Sequence, residues 1–322
     1  MMEKIDYNDV LLVTGILGDK HTIIYDAPSP SHNCYFFTNN KKEKDNIINK
    51  GWNYEYLDIE LSEDEITCSL QAKYIKFLKF IDDYDGKFKK FKQILYFDHK
   101  FNIKKEDVEN ILNISYKNEN KYNVITRYHE EPKKLWKEIE DSKYQYKYMK
   151  NIDKVINLVN SKVEDGSLKD ADNVQIAMTG LLFYNNYDEI TPLLNEIYDV
   201  GNELQQPQCQ VLWSIFSQKY QDKILVVNHN EMNPELLWVY PPYTWIDTSN
   251  MQVENFTSGL LSPSTFDGAS HDDITPRNWV YFFFIILCVP ILLFLFYRMI
   301  QYIISKKYRN ISVFLQKKNV KV

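Results

Sequence analysis

The residues best placed to do chemistry are Asp98, His99 and Lys100, which follow the apolar run Ile94-Leu-Tyr-Phe97. Such a run reads as a short buried strand. An acid at its C-terminal tip lies in the crevice where open α/β sheets bind ligands. A carboxylate there could hold a hard divalent cation, Mg²⁺ or Mn²⁺, against a diphosphate and neutralise a departing nucleotide. Nucleotide-sugar enzymes use an Asp-x-Asp pair for this. Here the third position is Lys100, whose ammonium could itself neutralise a diphosphate. The plain alternative is that Asp98 caps the turn that follows.

Other clusters are less specific. Gly15-Ile-Leu-Gly18-Asp19 follows an apolar run but matches neither G-x-G-x-x-G nor a P-loop, and reads as a turn. His129-Glu130-Glu131 lacks the spacing of a zinc motif and reads as a polar loop leading into a helix. Lys73 and Lys76 share one face of a helical segment, a pattern usually explained by a solvated face. The four cysteines are scattered, without CxxC or a disulfide framework, and no Ser/His/Asp or Cys/His arrangement emerges from spacing.

The elements that must position these residues alternate. Val10–Thr14, Cys34–Thr38, Tyr54–Asp58, Ile94–Phe97, Asn123–Arg127, Met178–Tyr184 and Ile224–Val227 read as strands. Ile66–Ile81, Ile103–Leu112, Ile190–Leu204 and Gln208–Tyr220 carry helical spacing, and Pro132 suits the first turn of a long helix running towards Val159. Alternation of this kind predicts an α/β domain with a largely parallel sheet. From about Met232 to Arg277 the pattern gives way to Pro, Ser, Thr and Asn; the first part, with Trp238, Tyr240, Tyr243 and Trp245, can still pack on the domain, and Thr248 to Arg277 predicts a polar stalk.

Beyond the stalk, Trp279 to Tyr297 carries no charge over 19 residues, about 28 Å of helix, and predicts a membrane anchor over 279–304. Seven basic residues follow Tyr297, from Arg298 to Lys321, which by the positive-inside rule favours a cytoplasmic tail. Against this, the N-terminus carries Asp6 and Asp9 where a signal peptide needs basic residues. Long domains follow their targeting signal rather than charge bias, so the expectation is a single-pass protein with its large domain in the cytoplasm. The net charge of −6 argues against general nucleic-acid affinity.

Taken in order, Val13-Thr-Gly-Ile-Leu-Gly-Asp19, Asn33-Cys-Tyr-Phe-Phe-Thr-Asn39, Gly51-Trp-Asn53, Ala72-Lys-Tyr-Ile-Lys76 and Tyr96-Phe-Asp-His-Lys100 resemble the TOD1/MUCI70 glycosyltransferase-like family. Arg127-Tyr-His129, Gly180-Leu-Leu182 and Gln206-Pro-Gln208 continue the likeness, which covers about residues 10 to 220.

The resemblance implies a Rossmann-like, GT-A-type α/β domain over 1–246, followed by the stalk at 247–278, the transmembrane helix at 279–304 and a basic tail at 305–322. It implies transfer of a sugar from a nucleotide-sugar donor to a glycan, protein or lipid acceptor. Asp98 would serve catalysis and hold a Mn²⁺ or Mg²⁺ ion, with His129 and Gln208 on the acceptor side. Thr14, Lys73, Lys76, His99 and Lys100 would face the nucleotide. Two positions depart from the family pattern: Lys100 replaces the second acid, and Pro207 stands where the family has Asp. These departures leave open a domain that kept the fold and serves as a membrane-tethered binding or structural protein.

Overall fold

The structure is a computed structural model that describes residues 6–19, 23–29, 33–84, 86–232 and 234–236 of the 322-residue chain. These lie in the first of two compact units, residues 1–248. The expected stalk, membrane helix and basic tail lie outside the described residues. No helix among the described residues is long and apolar enough to cross a membrane.

In chain order the elements are β1 (Val10–Ile16), β2 (Cys34–Thr38), α1 (Lys44–Asn49), β3 (Asn53–Tyr56), α2 (Glu65–Lys76), β4 (Gln93–Phe97), β5 (Phe101–Asn102) and α3 (Lys105–Lys117). Then follow β6 (Val124–Tyr128), α4 (Leu135–Ser142), α5 (Tyr146–Met149), α6 (Ile152–Glu164), β7 (Ala177–Asn185), α7 (Thr191–Leu204), α8 (Cys209–Phe216), β8 (Ile224–Val227) and β9 (Glu235–Leu236). Seven strands form one mixed, mostly parallel sheet in the order β3-β2-β1-β4-β7-β6-β8. Strands β1 to β4 run parallel and β8 is parallel to β6, whereas β7 is antiparallel to both its neighbours.

Successive strand residues face opposite sides, so each strand feeds two layers. Leu11, Val13, Ile94, Tyr96, Leu182 and Tyr184 pack with apolar residues of α2, α4, α6, α7 and α8. Val10, Leu12, Leu95, Phe97 and Phe183 pack on the other side with Ile47 of α1 and Val108, Ile111 and Leu112 of α3. This gives helices on both faces, as parallel strands require, since both their surfaces must be buried.

Three sequence expectations are corrected. The long helix from Pro132 to Val159 is three helices, α4, α5 and α6. The first stops where the Ser142 hydroxyl donates back to the Glu138 carbonyl at 2.7 Å, a side-chain bond that competes with the helix backbone. The helix expected over Ile66–Ile81 ends at Lys76, because Leu78 adopts a left-handed conformation (φ 58°) that no helix interior accommodates. Beyond Met232, where the sequence pattern predicts no strand, Glu235–Leu236 pairs antiparallel with Phe101–Asn102, a backbone contact that needs no hydrophobic periodicity.

Candidate functional site

Strands β1 and β4 sit where the sheet order reverses: β1 leads out to β2 and β3, and β4 leads the other way. In open α/β sheets this reversal opens a crevice at the carboxyl ends of the strands. Gly15, near the end of β1, sets how closely α2 approaches. A Cβ there would lie 2.5 Å from the Phe37 carbonyl oxygen and 2.6 Å from Ile75 Cδ1. Its absence lets α2 settle on the sheet and carries Lys73 and Lys76, one turn apart in the last turns of that helix, to the tip of β4.

Asp98 is the first residue past β4, and its backbone N–H donates to the Gly180 carbonyl at 2.8 Å. Its Oδ1 accepts from the Tyr96 hydroxyl at 2.6 Å and pairs with Lys76 Nζ at 3.2 Å. Lys76 is 3% exposed, while the Asp98 side chain is 34% exposed. The ammonium also donates to Cys209 Sγ at 3.6 Å and lies 5.3 Å from the centre of the Tyr96 ring. The Tyr184 hydroxyl, donating to the Lys76 carbonyl at 2.7 Å, satisfies the end of α2.

Charges set the protonation states. Burial pushes the Asp98 carboxyl up, but Lys76, then Lys73, the Tyr96 hydroxyl and Lys100 outweigh it and hold it well below the ordinary carboxylate range. Burial likewise lowers Lys76, and the carboxylate more than restores it, so the pair is ionised. Half-buried Lys73 is pushed down by burial and by the neighbouring ammoniums of Lys76 and Lys147. Burial raises the Cys209 thiol, and Lys73 and Lys76 reverse the effect to leave it below its usual value. His99 is pushed down to about 4 by burial, with Lys100 and Lys147 adding to the effect against the pull of Asp98. It is a neutral imidazole at pH 7.

These donors do not fit a divalent cation. Mg²⁺ and Mn²⁺ want several hard oxygens. The strand end offers one carboxylate, and its Oδ1 is held by two donors. Among the described residues no group of three or more His, Cys, Asp or Glu gathers to hold a metal. An ammonium about 4 Å from a single positive charge costs about 4 kcal/mol near a protein surface, and a divalent ion doubles that.

The other expected site residues lie at the end of β6, at the start of α8 and in β1. His129 follows β6 and contacts Gln210 of α8, ring Nε2 to amide nitrogen 3.2 Å. Burial, Lys133, Arg127 and His229 push it down to about 4. Gln208 is buried and donates from Nε2 to Glu138 Oε1 at 2.7 Å and to Ser142 Oγ at 2.9 Å, tying α8 to α4. Thr14 is buried beside β4, and its hydroxyl has no hydrogen-bond partner. It shares a strand face with Leu12, away from the face that carries Tyr96. The structure therefore groups Asp98 with Lys73, Lys76, His99 and Lys100, and α8 links that group to His129 and Gln208: its first residue, Cys209, follows Gln208 and touches Lys76, and its Gln210 contacts His129.

Sequence reasoning missed Lys147 of α5, which pairs with Glu65 at 3.9 Å and acts on Lys73, His99 and Lys100. It also missed Cys209, whose only sequence signal is its place at the start of a helix, and the buried acid Glu138.

No protein-family model matches the chain, and no curated protein sequence matches it. Among solved structures the chain is similar to the apo form of mouse xyloside xylosyltransferase 1. That match has 7% identity and a TM-score of 0.35 over 68% of this chain and 85% of the other. It is also similar to a glycosyltransferase involved in glycosylating the major capsid of PBCV-1. There the identity is 12% and the TM-score 0.32, over 68% of this chain and 82% of the other.

Proposed function

We propose that this chain is a membrane-anchored glycosyltransferase-like protein, similar to the TOD1/MUCI70 family, that takes a sugar from a nucleotide-sugar donor. The observation that carries the reading is the ionised Asp98 at the tip of β4, where the sheet order reverses, with Lys73, Lys76 and Lys100 acting on it. Anionic ligands bind in crevices of this kind when cations line them. In the reaction, an acceptor oxygen bonds to the anomeric carbon of the sugar. The bond from that carbon to the diphosphate breaks, and its electron pair leaves with the nucleotide. The lysines stabilise that departing charge, and the neutral imidazole of His129 takes the acceptor's proton. The domain would span 1–246 and face the cytoplasm, joined by the stalk at 247–278 to the membrane helix at 279–304 and the basic tail at 305–322.

A second reading rests on Pro207, which stands buried where the resemblance expects an acid, and on the closed Lys76–Asp98 pair. The domain would then bind a ligand or partner without turnover.

Incubating the full-length chain in detergent with a panel of nucleotide sugars and measuring released nucleoside diphosphate separates the two. The first reading expects release from one donor and a loss of about a hundredfold in Asp98→Asn. Equal release by Asp98→Asn removes Asp98 from the mechanism, and no release from any donor favours the second reading.

A further inference from the structure

Resting on the nucleotide-sugar reading, we infer that this site neutralises the donor diphosphate with ammonium groups and no divalent cation, through Lys73, Lys76, Lys100 and Lys147. Three independent observations converge on it.

The first is charge. Lys73, Lys76 and Lys100 act on Asp98, Lys76 and Lys147 act on both Lys73 and Lys100, and Lys147 pairs with Glu65 at 3.9 Å. Among the described residues this sets four ammoniums beside two carboxylates and the Cys209 thiol, a balance that suits an anionic ligand such as a nucleoside diphosphate. A metal would add to the positive charge instead of balancing it.

The second is that the carboxylate is already engaged. Lys76 and the Tyr96 hydroxyl hold Oδ1. Oδ2 lies 3.0 Å from where a Cβ on Gly180 would stand, so β7 closes that side. Asp98 is therefore a positioning residue: it fixes the buried Lys76, whose charge acts on the ligand through the field of the site and not by contact.

The third is Lys73, which is half-buried and closes no ion pair with an acid among the described residues. A half-buried ammonium without such a partner, beside two like charges, is poised for an anion that arrives from solution.

The test is calorimetric titration of the full-length chain in detergent with uridine, guanosine, cytidine and adenosine diphosphates, each in EDTA and in Mn²⁺. The expected result is that at least one binds in EDTA, with a Kd that Mn²⁺ leaves unchanged. Lys73→Met and Lys147→Met each weaken it about tenfold, as loss of one charge-assisted hydrogen bond would. Lys100→Met, on an exposed side chain, should weaken binding in the same direction, and urea denaturation of each variant checks that it folds. Binding that appears only with Mn²⁺ overturns the inference while leaving the nucleotide site standing. No binding by any of the four in either condition overturns both.

Discussion

Lys76 Nζ and Asp98 Oδ1 form an ion pair at 3.2 Å in which only the acid reaches solvent. The lysine, at 3% exposure, depends on this partner, on Cys209 and on the face of the Tyr96 ring for compensation. Removing the acid strands a buried charge.

Asp98→Ala is therefore expected to destabilise the domain by about 3 kcal/mol, the lower end for a broken buried pair because Asp98 is partly open. The double variant Lys76→Met/Asp98→Leu should recover most of that loss, since two apolar groups leave nothing unpaired. Urea denaturation of the two variants checks it. A double variant no more stable than Asp98→Ala would show that the pair is not the source of the cost. The same argument makes Asp98→Asn the better probe of activity.

Gly180→Ala is expected to move the carboxylate without breaking the ion pair. Its new methyl would stand 3.0 Å from Asp98 Oδ2 and 3.2 Å from Phe101 Cε2. Overpacking of this degree costs about 1–3 kcal/mol, and nucleotide-sugar turnover should fall while the fold persists. Unaltered turnover in Gly180→Ala would mean that the exact place of the carboxylate does not matter.

Stability should decline on mild acidification. His99 and His129 each have a folded pKa of about 4 against an ordinary value of about 6.5. The unfolded chain binds these protons first. Their contribution is therefore complete above pH 6.5 and is lost as pH falls towards 4, at up to about 1.4 kcal/mol per pH unit for each histidine. Melting temperatures from pH 8 to 4.5 should show this slope, flattened in His99→Asn/His129→Asn. Asp98, held low, adds its own loss only further down, below the ordinary carboxylate value of about 3.9.

Glycosylation reports which side of the membrane the domain occupies. Sequons stand at Asn113, Asn255 and Asn310. A cytoplasmic domain expects modification at Asn310 alone in a microsomal translation assay. Glycans at Asn113 or Asn255 would place the domain in a lumen.

Much of the sheet was legible because strands buried on both faces read as continuous apolar runs, as Val10–Val13 and Ile94–Phe97 do. Direction was not: Ala177–Asn185 is buried along its whole length, and such a run looks the same whether its neighbours are parallel or antiparallel. Asp98 could be read as a candidate because a strand end is a local feature. The burial of Lys76 could not, since it depends on Cys209, 133 residues away, and helical spacing alone gives a lysine a solvated face. Lys147 was invisible for the same reason. It sits in a short helix that the sequence merged into a longer one, and its partner Glu65 lies far back in the chain.

The antiparallel strand has a further consequence, for the order in which the molecule is made. Strands β1 to β4 can pair among themselves as soon as residue 97 has left the ribosome, but β4 then ends in an open edge of apolar backbone. Its cover, β7, is finished only at Asn185, and the same strand must accept β6 on its other side. For nearly ninety residues of synthesis, at roughly 5–20 residues per second, the nascent chain carries an unpaired edge for about 4 to 18 seconds. Chaperone dependence in this protein should therefore centre on that interval and end when β7 docks.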